Sequence, residues 1–167
     1  MGNRQWKYYQ LTITNYQLPI TIKKTMKTVI FYEKPGCINN TKQKAMLVAA
    51  GHELIARNLL KTPWTAETLR PFFGELPVSE WFNYSAPRIK SGEIIPAQLD
   101  AATALELMLA EPLLIRRPLM QVGEAFMVGF NLEKVEAQIG LSPIDNKPQD
   151  IETCPRSHET TPCKSPA

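Results

Sequence analysis

No stretch of this chain stays apolar for the ~20 residues that a membrane-spanning helix needs, so a transmembrane segment is not expected. The N-terminus lacks an uninterrupted apolar run followed by a small-residue cleavage site, which argues against a secretory signal. Cysteine is scarce: Cys37, Cys154 and Cys163 are the 3 cysteines in 167 residues, too few for a disulfide framework in a domain of this size. Histidine is scarcer still, with His52 and His158 far apart. These absences fit a cytoplasmic protein with one functional thiol and no metal centre. Acidic residues are missing from residues 1–25, where Arg4, Lys7, Lys23 and Lys24 supply four positive charges. The whole chain carries +3, so the remainder carries −1. The basic character belongs to the leader, and the body offers no electrostatic case for binding nucleic acid.

What is present is enough for one domain with tails. Hydrophobic residues make up 44% of the chain, close to the globular average, so a buried core is within reach. Residues 1–25 read as a non-domain extension. The run Leu11 to Thr21 has no helical period and a near-repeat, and Met26 is a natural start for the domain. A β-prone, partner-binding tail is the rival reading of that segment. Residues 26–141 carry the periodic patterns of a folded domain. Residues 142–167 hold five prolines and read as a disordered tail.

Within the domain, Lys27–Tyr32 is β-branched and aromatic and predicts a buried strand. A helix is expected over Ile38–Ala50, with Ala45, Val48 and Ala49 on its inward face and Gly51 as its stop. Glu53–Arg57 predicts a second strand. Thr65 is placed to N-cap a helix holding Glu67, Leu69, Phe72 and Phe73 and ending at Gly74. Val78–Phe82 suggests a further helical turn. Pro96 suits the first turn of the next helix, with Leu99, Ala102, Leu105 and Leu109 facing inward and Pro112 ending it. Leu119–Gln121 and Ala125–Val128 flank Val122-Gly123-Glu124, a hairpin signature. Asn131 precedes a last helix, Leu132–Ile139, stopped by Gly140. Strand–helix–strand first and a hairpin later imply a small mixed sheet covered by helices, an α/β fold.

Cys37 is the most informative residue. It follows the Pro35-Gly36 break after the first strand and opens the first helix. Unpaired backbone N–H groups and the helix dipole at such a position favour a thiolate, the reactive form. A buried structural cysteine is the alternative, since free cysteine is among the most buried residues.

The strand, the Pro35-Gly36-Cys37 turn and Leu114-Ile115-Arg116-Arg117-Pro118-Leu119 together resemble the ArsC/Spx family, whose members share a thioredoxin-like fold with a helical insert. Val128-Gly129-Phe130-Asn131 is similar to the Spx end of that family, and the nearest likeness is its nitrogenase-associated branch. The resemblance implies that Cys37 is the nucleophile, that Arg117 stabilises the thiolate or a bound anion, and that Pro118 is the cis-proline facing the thiol. Arsenate reductases of the family use three arginines at the oxyanion. Asn83 and Val128 fall at two of those positions here, leaving Arg117, so arsenate reduction is not expected. Redox-switch Spx proteins place a second cysteine where this chain has Asn40. The resemblance therefore implies a monothiol oxidoreductase-type domain reset by glutathione or glutaredoxin, with no bound cofactor. Its alternative is a non-catalytic, Spx-like regulatory protein that binds a nitrogenase-related partner.

Other residues read more plainly. Lys44 fits a solvated helix face, Lys42 is open between that and a site role, and Arg116 is the solvated neighbour of Arg117. Cys154, His158 and Cys163 lack the Cys-x-x-Cys spacing of a zinc site, and the tail thiols could instead resolve Cys37. His52 is structural, and Trp64, Phe72, Phe73, Trp81 and Phe82 are core or interface.

Overall fold

The computed structural model describes residues 26–141 and residue 151. The readings made for residues 1–25, for Cys154, His158 and Cys163, and for the tail apart from Ile151 lie outside the described residues. Strand β1 (Thr28–Glu33) leads through helix α1 (Ile38–Ala49) to strand β2 (Glu53–Asn58), which pairs with β1 in parallel, Thr28 opposite Glu53 and Glu33 opposite Asn58. The hairpin strands β3 (Leu119–Val122) and β4 (Ala125–Val128) turn through Gly123, whose φ of 58° lies in the left-handed region. β3 lies antiparallel to β1, with Tyr32 opposite Leu119, and the sheet order is β2-β1-β3-β4. This is the mixed sheet that the pattern of elements implied.

β1 divides the core in two because alternate side chains leave a strand on opposite faces. Val29 and Phe31 pack with Leu47, Met120, Phe130, Val135, Ile139 and Ile151. Tyr32 packs on the other face with Phe72, Phe73, Trp81, Phe82, Met108 and Leu114, and Ile30 lies against that cluster. The aromatic residues expected in the core are there: Tyr32 and Phe72 meet edge to face at 5.7 Å, and Phe73 stacks on Trp81 at 4.6 Å.

The helical insert departs from the sequence expectation in three places. Thr65 does cap α2 (Ala66–Leu69), and its hydroxyl accepts from Thr68 N while Thr68 Oγ1 accepts from Thr65 N. The α-helix ends there because Pro71 has no N–H to donate. The chain tightens into a 3-10 turn over Arg70–Phe73 and ends at Gly74. Pro96 does not start the next long helix. It opens an isolated 3-10 turn, Pro96–Gln98, and α4 (Ala101–Ala110) begins after Asp100, whose carboxylate accepts from Thr103 N at 2.8 Å. Its buried residues are Ala104 and Met108, with Leu105 and Leu109 half-buried and Ala102 exposed. Apolar residues surround most of that helix, so its period alone could not fix the face. A short helix, α3 (Pro87–Lys90), was not anticipated. It is too short to show a period, although Pro87 at its first turn is a recognisable start.

Asp100 is an exposed cap with a pH signature. The Thr103 N–H and hydroxyl both donate to its carboxylate and hold its pKa below the ordinary Asp value. A group lowered on folding stabilises the native state above its unfolded pKa of about 3.9, and that stabilisation disappears as pH falls through the lower folded value. Asp100→Asn is therefore expected to flatten the acid limb of the stability–pH curve below about pH 4. Urea midpoints across that range check it, and an unchanged limb counts against the cap.

The last helix, α5 (Leu132–Ile139), is capped by Asn131, whose side-chain oxygen accepts from Lys134 N at 3.0 Å. His52 is structural, as expected. Its Nδ1 accepts from Lys27 N at 3.4 Å, so Nε2 carries the proton given to Gly140 O at 2.7 Å. One imidazole thus ties the start of β1 to the end of α5. No helix among the described residues is long and apolar enough to cross a membrane.

Candidate functional site

Cys37 sits where β1 hands over to α1. Gly36 takes φ 78°, and the turn closes with Cys37 N donating to Lys34 O at 3.2 Å. Cys37 is the N-cap residue of α1, with extended φ and ψ of −76° and 120°. Its carbonyl accepts from Thr41 N and from Thr41 Oγ1, each at 3.1 Å. Its thiol makes no capping hydrogen bond and is free and half-buried. The backbone therefore fixes the residue while its sulfur remains available to a cleft.

That cleft has a volume of about 380 Å³ and is lined by Cys37, Asn39, Asn40, Gln43, Glu80, Phe82, Asn83, Tyr84, Ser85, Arg116 and Arg117. Two elements distant in sequence build the wall opposite Cys37. Phe82 and Ile115 form an antiparallel bridge. Asn83 N donates to Leu114 O at 2.7 Å and Arg116 N to Trp81 O at 2.8 Å. Arg117 follows at once, with its Nη1 buried, and the Arg117–Pro118 peptide bond is cis. Pro118 O then accepts from Gly129 N at 2.8 Å, which joins the segment to the end of the hairpin.

The structure brings Cys37 and Arg117 to one cleft and leads directly from Arg117 into Pro118. Asn83 is also there, but its amide is engaged with the backbone: Nδ2 donates to Leu113 O at 2.9 Å and Oδ1 accepts from Ser85 N at 3.2 Å. Val128 is elsewhere. It stands in β4 opposite Leu119 and packs against the core of the insert, outside the residues that line the cleft. Arg116 needs correction as a solvated neighbour. It lines the cleft, 28% exposed in its side chain, with Nη1 3.6 Å from Glu80 Oε2. Consecutive residues usually point apart, but the chain here is not a regular strand, so alternation did not apply. Lys44 is not simply solvated either, since its ammonium pairs with Glu33 at 2.7 Å. Lys42 is exposed and does not line the cleft.

The face of α1 turned inward is the second correction. Ala45, Val48 and Ala49 are exposed, and Asn39, Asn40, Gln43 and Leu47 are buried. An apolar count chose the wrong side because the first half of the buried face is built of amides. The amides of Asn40 and Gln43 are linked within the fold, although Asn40 Oδ1 is buried without a hydrogen-bond partner. Asn40 Nδ2 donates to Gln43 Oε1 at 2.8 Å, and Gln43 Nε2 donates to Ile151 O at 2.7 Å. Gln43 had no signal except its spacing, three residues after Asn40. Among the described residues, no group of three or more His, Cys, Asp or Glu side chains is placed to hold a metal ion.

The fold and the sequence have counterparts among known proteins. The chain is 55% identical over 130 residues to an uncharacterized 15.7 kDa protein in the draG 3' region of Rhodospirillum rubrum, covering 78% of this chain and 90% of that one. Its fold is similar to that of an ArsC-family-related protein from Bacteroides fragilis, with a TM-score of 0.59 and 24% identity over 66% of this chain and 97% of that one. An arsenate reductase from Vibrio cholerae matches with a TM-score of 0.57 and 22% identity, covering 68% of this chain and 98% of the other. At such identities these two likenesses speak for the fold, which is the thioredoxin-like ArsC fold. Residues 20–138 match the ArsC family itself, and with the thiol turn, the helical insert and the cis Arg117–Pro118 segment in place, this chain belongs to the ArsC family.

Proposed function

We propose that the cleft is a monothiol site for glutathione-linked disulfide exchange, with Cys37 as the nucleophile. One observation carries the reading: a free thiol at a helix N-cap opens onto a cleft that also holds Arg116 and Arg117, while Asn40 stands where a dithiol partner is needed. In the first step the Cys37 thiolate attacks the glutathione sulfur of a mixed disulfide R–S–S–G. A Cys37–glutathione disulfide forms and R–S⁻ leaves. In the second step an external glutathione thiolate attacks that disulfide, releasing oxidised glutathione and restoring Cys37. Arg117 and Arg116 meet the carboxylates of glutathione and the charge on sulfur. Glutaredoxin can replace the second glutathione as the reductant. A cytoplasmic location supplies both.

Arsenate is a poor substrate in this reading. Asn83 offers no cation, and Val128 lies outside the cleft. Each charge-assisted contact to an anion is worth about 1.5–3 kcal/mol, so the positions without arginine weaken oxyanion binding, and Arg116 in the cleft offsets at most one of them. A coupled arsenate assay with glutathione and glutaredoxin is expected to show no turnover above background. The direct test of the proposal is a glutathionylated peptide incubated with the protein and glutathione. Catalysed release of the free peptide is expected, and a rate equal to the protein-free control rejects it.

The physiological target in this reading is a nitrogenase-related protein, protected or matured through its thiols. That context rests on the resemblance to the nitrogenase-associated branch of the family. A strain lacking the gene tests it: nitrogenase activity equal to the parent's, before and after oxidant exposure, removes the link.

A further inference from the structure

We propose that Glu80 and Arg116 together form a subsite for the free α-amino acid head group of glutathione, Glu80 taking its ammonium and Arg116 its carboxylate. This rests on the reading of the cleft as a glutathione-linked thiol site, and it names the residue that selects the substrate. The charged side chains lining the cleft are Glu80, Arg116 and Arg117, two cations and one anion. Glutathione carries the complementary set at neutral pH, two carboxylates and one ammonium. Its γ-linkage leaves the α-ammonium and α-carboxylate of the glutamyl residue on one carbon, neither used in a peptide bond. A small oxyanion has no group for Glu80 and meets its carboxylate as a like charge.

The pair is fixed from the backbone outward. Glu80 lies in the 3-10 turn Val78–Trp81, where its N–H donates to Pro77 O at 2.8 Å. Trp81, buried, holds that turn in place: its indole N–H donates to Leu76 O at 2.9 Å, and its carbonyl accepts from Arg116 N at 2.8 Å. Glu80 and Arg116 therefore stand side by side although 36 positions separate them. Arg116 Nη1 donates to Glu80 O at 3.3 Å and lies 3.6 Å from Glu80 Oε2. A carboxylate and a guanidinium at that spacing offer acceptors and a fork of donors next to one another, the complement of an amino acid's own two charges.

Burial sets the order of charges in the cleft. Arg117 Nη1 is buried, whereas the Arg116 and Glu80 side chains are 28% and 52% exposed. The deep cation serves the inner part of the ligand, and the paired charges at the rim meet its glutamyl end. The cleft volume of about 380 Å³ lies within the range of about 300–1,000 Å³ of small-molecule sites and suits a tripeptide better than a bare oxyanion. An exposed ion pair is ordinarily a solvated surface contact that contributes little. Here the 3.6 Å pair lines the cleft of a free thiol, so a ligand gains both charges without dismantling a strong bridge.

The test measures the rate at which Cys37 of the full chain forms a mixed disulfide with each of two probes. One is oxidised glutathione; the other is the disulfide of glutaryl-cysteinyl-glycine, which lacks only the α-ammonium. Acid quench, intact mass and peptide mapping without reductant assign the adduct to Cys37. The wild type is expected to react about 3–10-fold faster with oxidised glutathione, the effect of one charged contact at a half-exposed rim. Glu80→Gln is expected to lose that preference by slowing only the glutathione reaction, and Glu80→Asp to keep part of it. Equal rates with the two probes in the wild type overturn the subsite and leave Cys37 as a nucleophile. Equal slowing of both probes in Glu80→Gln shows a carboxylate acting only through Arg116 and overturns its contact with the ammonium. Absence of a Cys37 adduct from either probe rejects the reading of Cys37 itself and this proposal with it.

Discussion

Trp81→Ala is expected to destabilise the protein by about 3–5 kcal/mol, the cost of truncating a buried tryptophan without collapse of the site. Trp81 is 1% exposed and lies flat on Phe73 at 4.6 Å with an interplanar angle of 6°. Its indole N–H donates to Leu76 O at 2.9 Å, and the Arg70 guanidinium stands 4.9 Å above its ring. Truncation leaves the Leu76 carbonyl without its donor and opens a cavity that aromatic neighbours cannot fill by rotation. Trp81→Phe keeps most of the stacked area and should lose less. The substitution also reaches the cleft, because Trp81 O accepts from Arg116 N and the next residue, Phe82, bridges to Ile115. Guanidinium chloride unfolding of both variants checks the prediction. A loss below about 1 kcal/mol for Trp81→Ala contradicts core packing of this kind.

Cys37→Ser is expected to abolish the proposed glutathione exchange completely, since a serine hydroxyl cannot enter a disulfide. Arg117→Ala should act on the same reaction by degree. Loss of one charge-assisted contact, about 1.5–3 kcal/mol, corresponds to a reduction of about 10–150-fold in affinity for the anionic disulfide. Arg117→Lys keeps the charge but loses the planar fork of donors, and should fall between the two. Steady-state kinetics on a glutathionylated peptide separates these outcomes. Residual turnover in Cys37→Ser assigns the chemistry to another thiol. An Arg117→Ala variant with unchanged KM and kcat in this assay shows that the guanidinium does not meet the substrate.

Much of the fold could be read along the chain, and the reason is local. The six residues of β1 are β-branched or aromatic nearly throughout, Pro35-Gly36 forces a turn, and Thr65 and Asn131 carry the side-chain oxygens that cap helices. Gly123 permits the positive φ of the hairpin. These features act over a few residues, so no knowledge of the partner element is needed. The faces of α1 and α4 were not legible in the same way. In α1 the first inward residues are amides, and Asn40 and Gln43 are linked to each other and on to Ile151, a partner 108 residues away from Gln43. In α4 apolar residues occur on several faces, and the packing of the insert selects Ala104 and Met108.

The candidate site divides along the same line. By itself the sequence determined that a thiol follows a strand, breaks at glycine and opens a helix, because those preferences belong to the residues themselves. It determined also that an arginine precedes a proline before a hairpin. Only the tertiary structure decided that Cys37 and Arg117 share one cleft, that Arg116 joins them, that Val128 does not, and that Gln43 holds Ile151 beside Asn40. Those facts depend on the sheet placing β1 against β3 and on the bridge between Phe82 and Ile115. Contacts between residues tens of positions apart are set by the summed packing of the whole core, and no local window of the chain contains that sum.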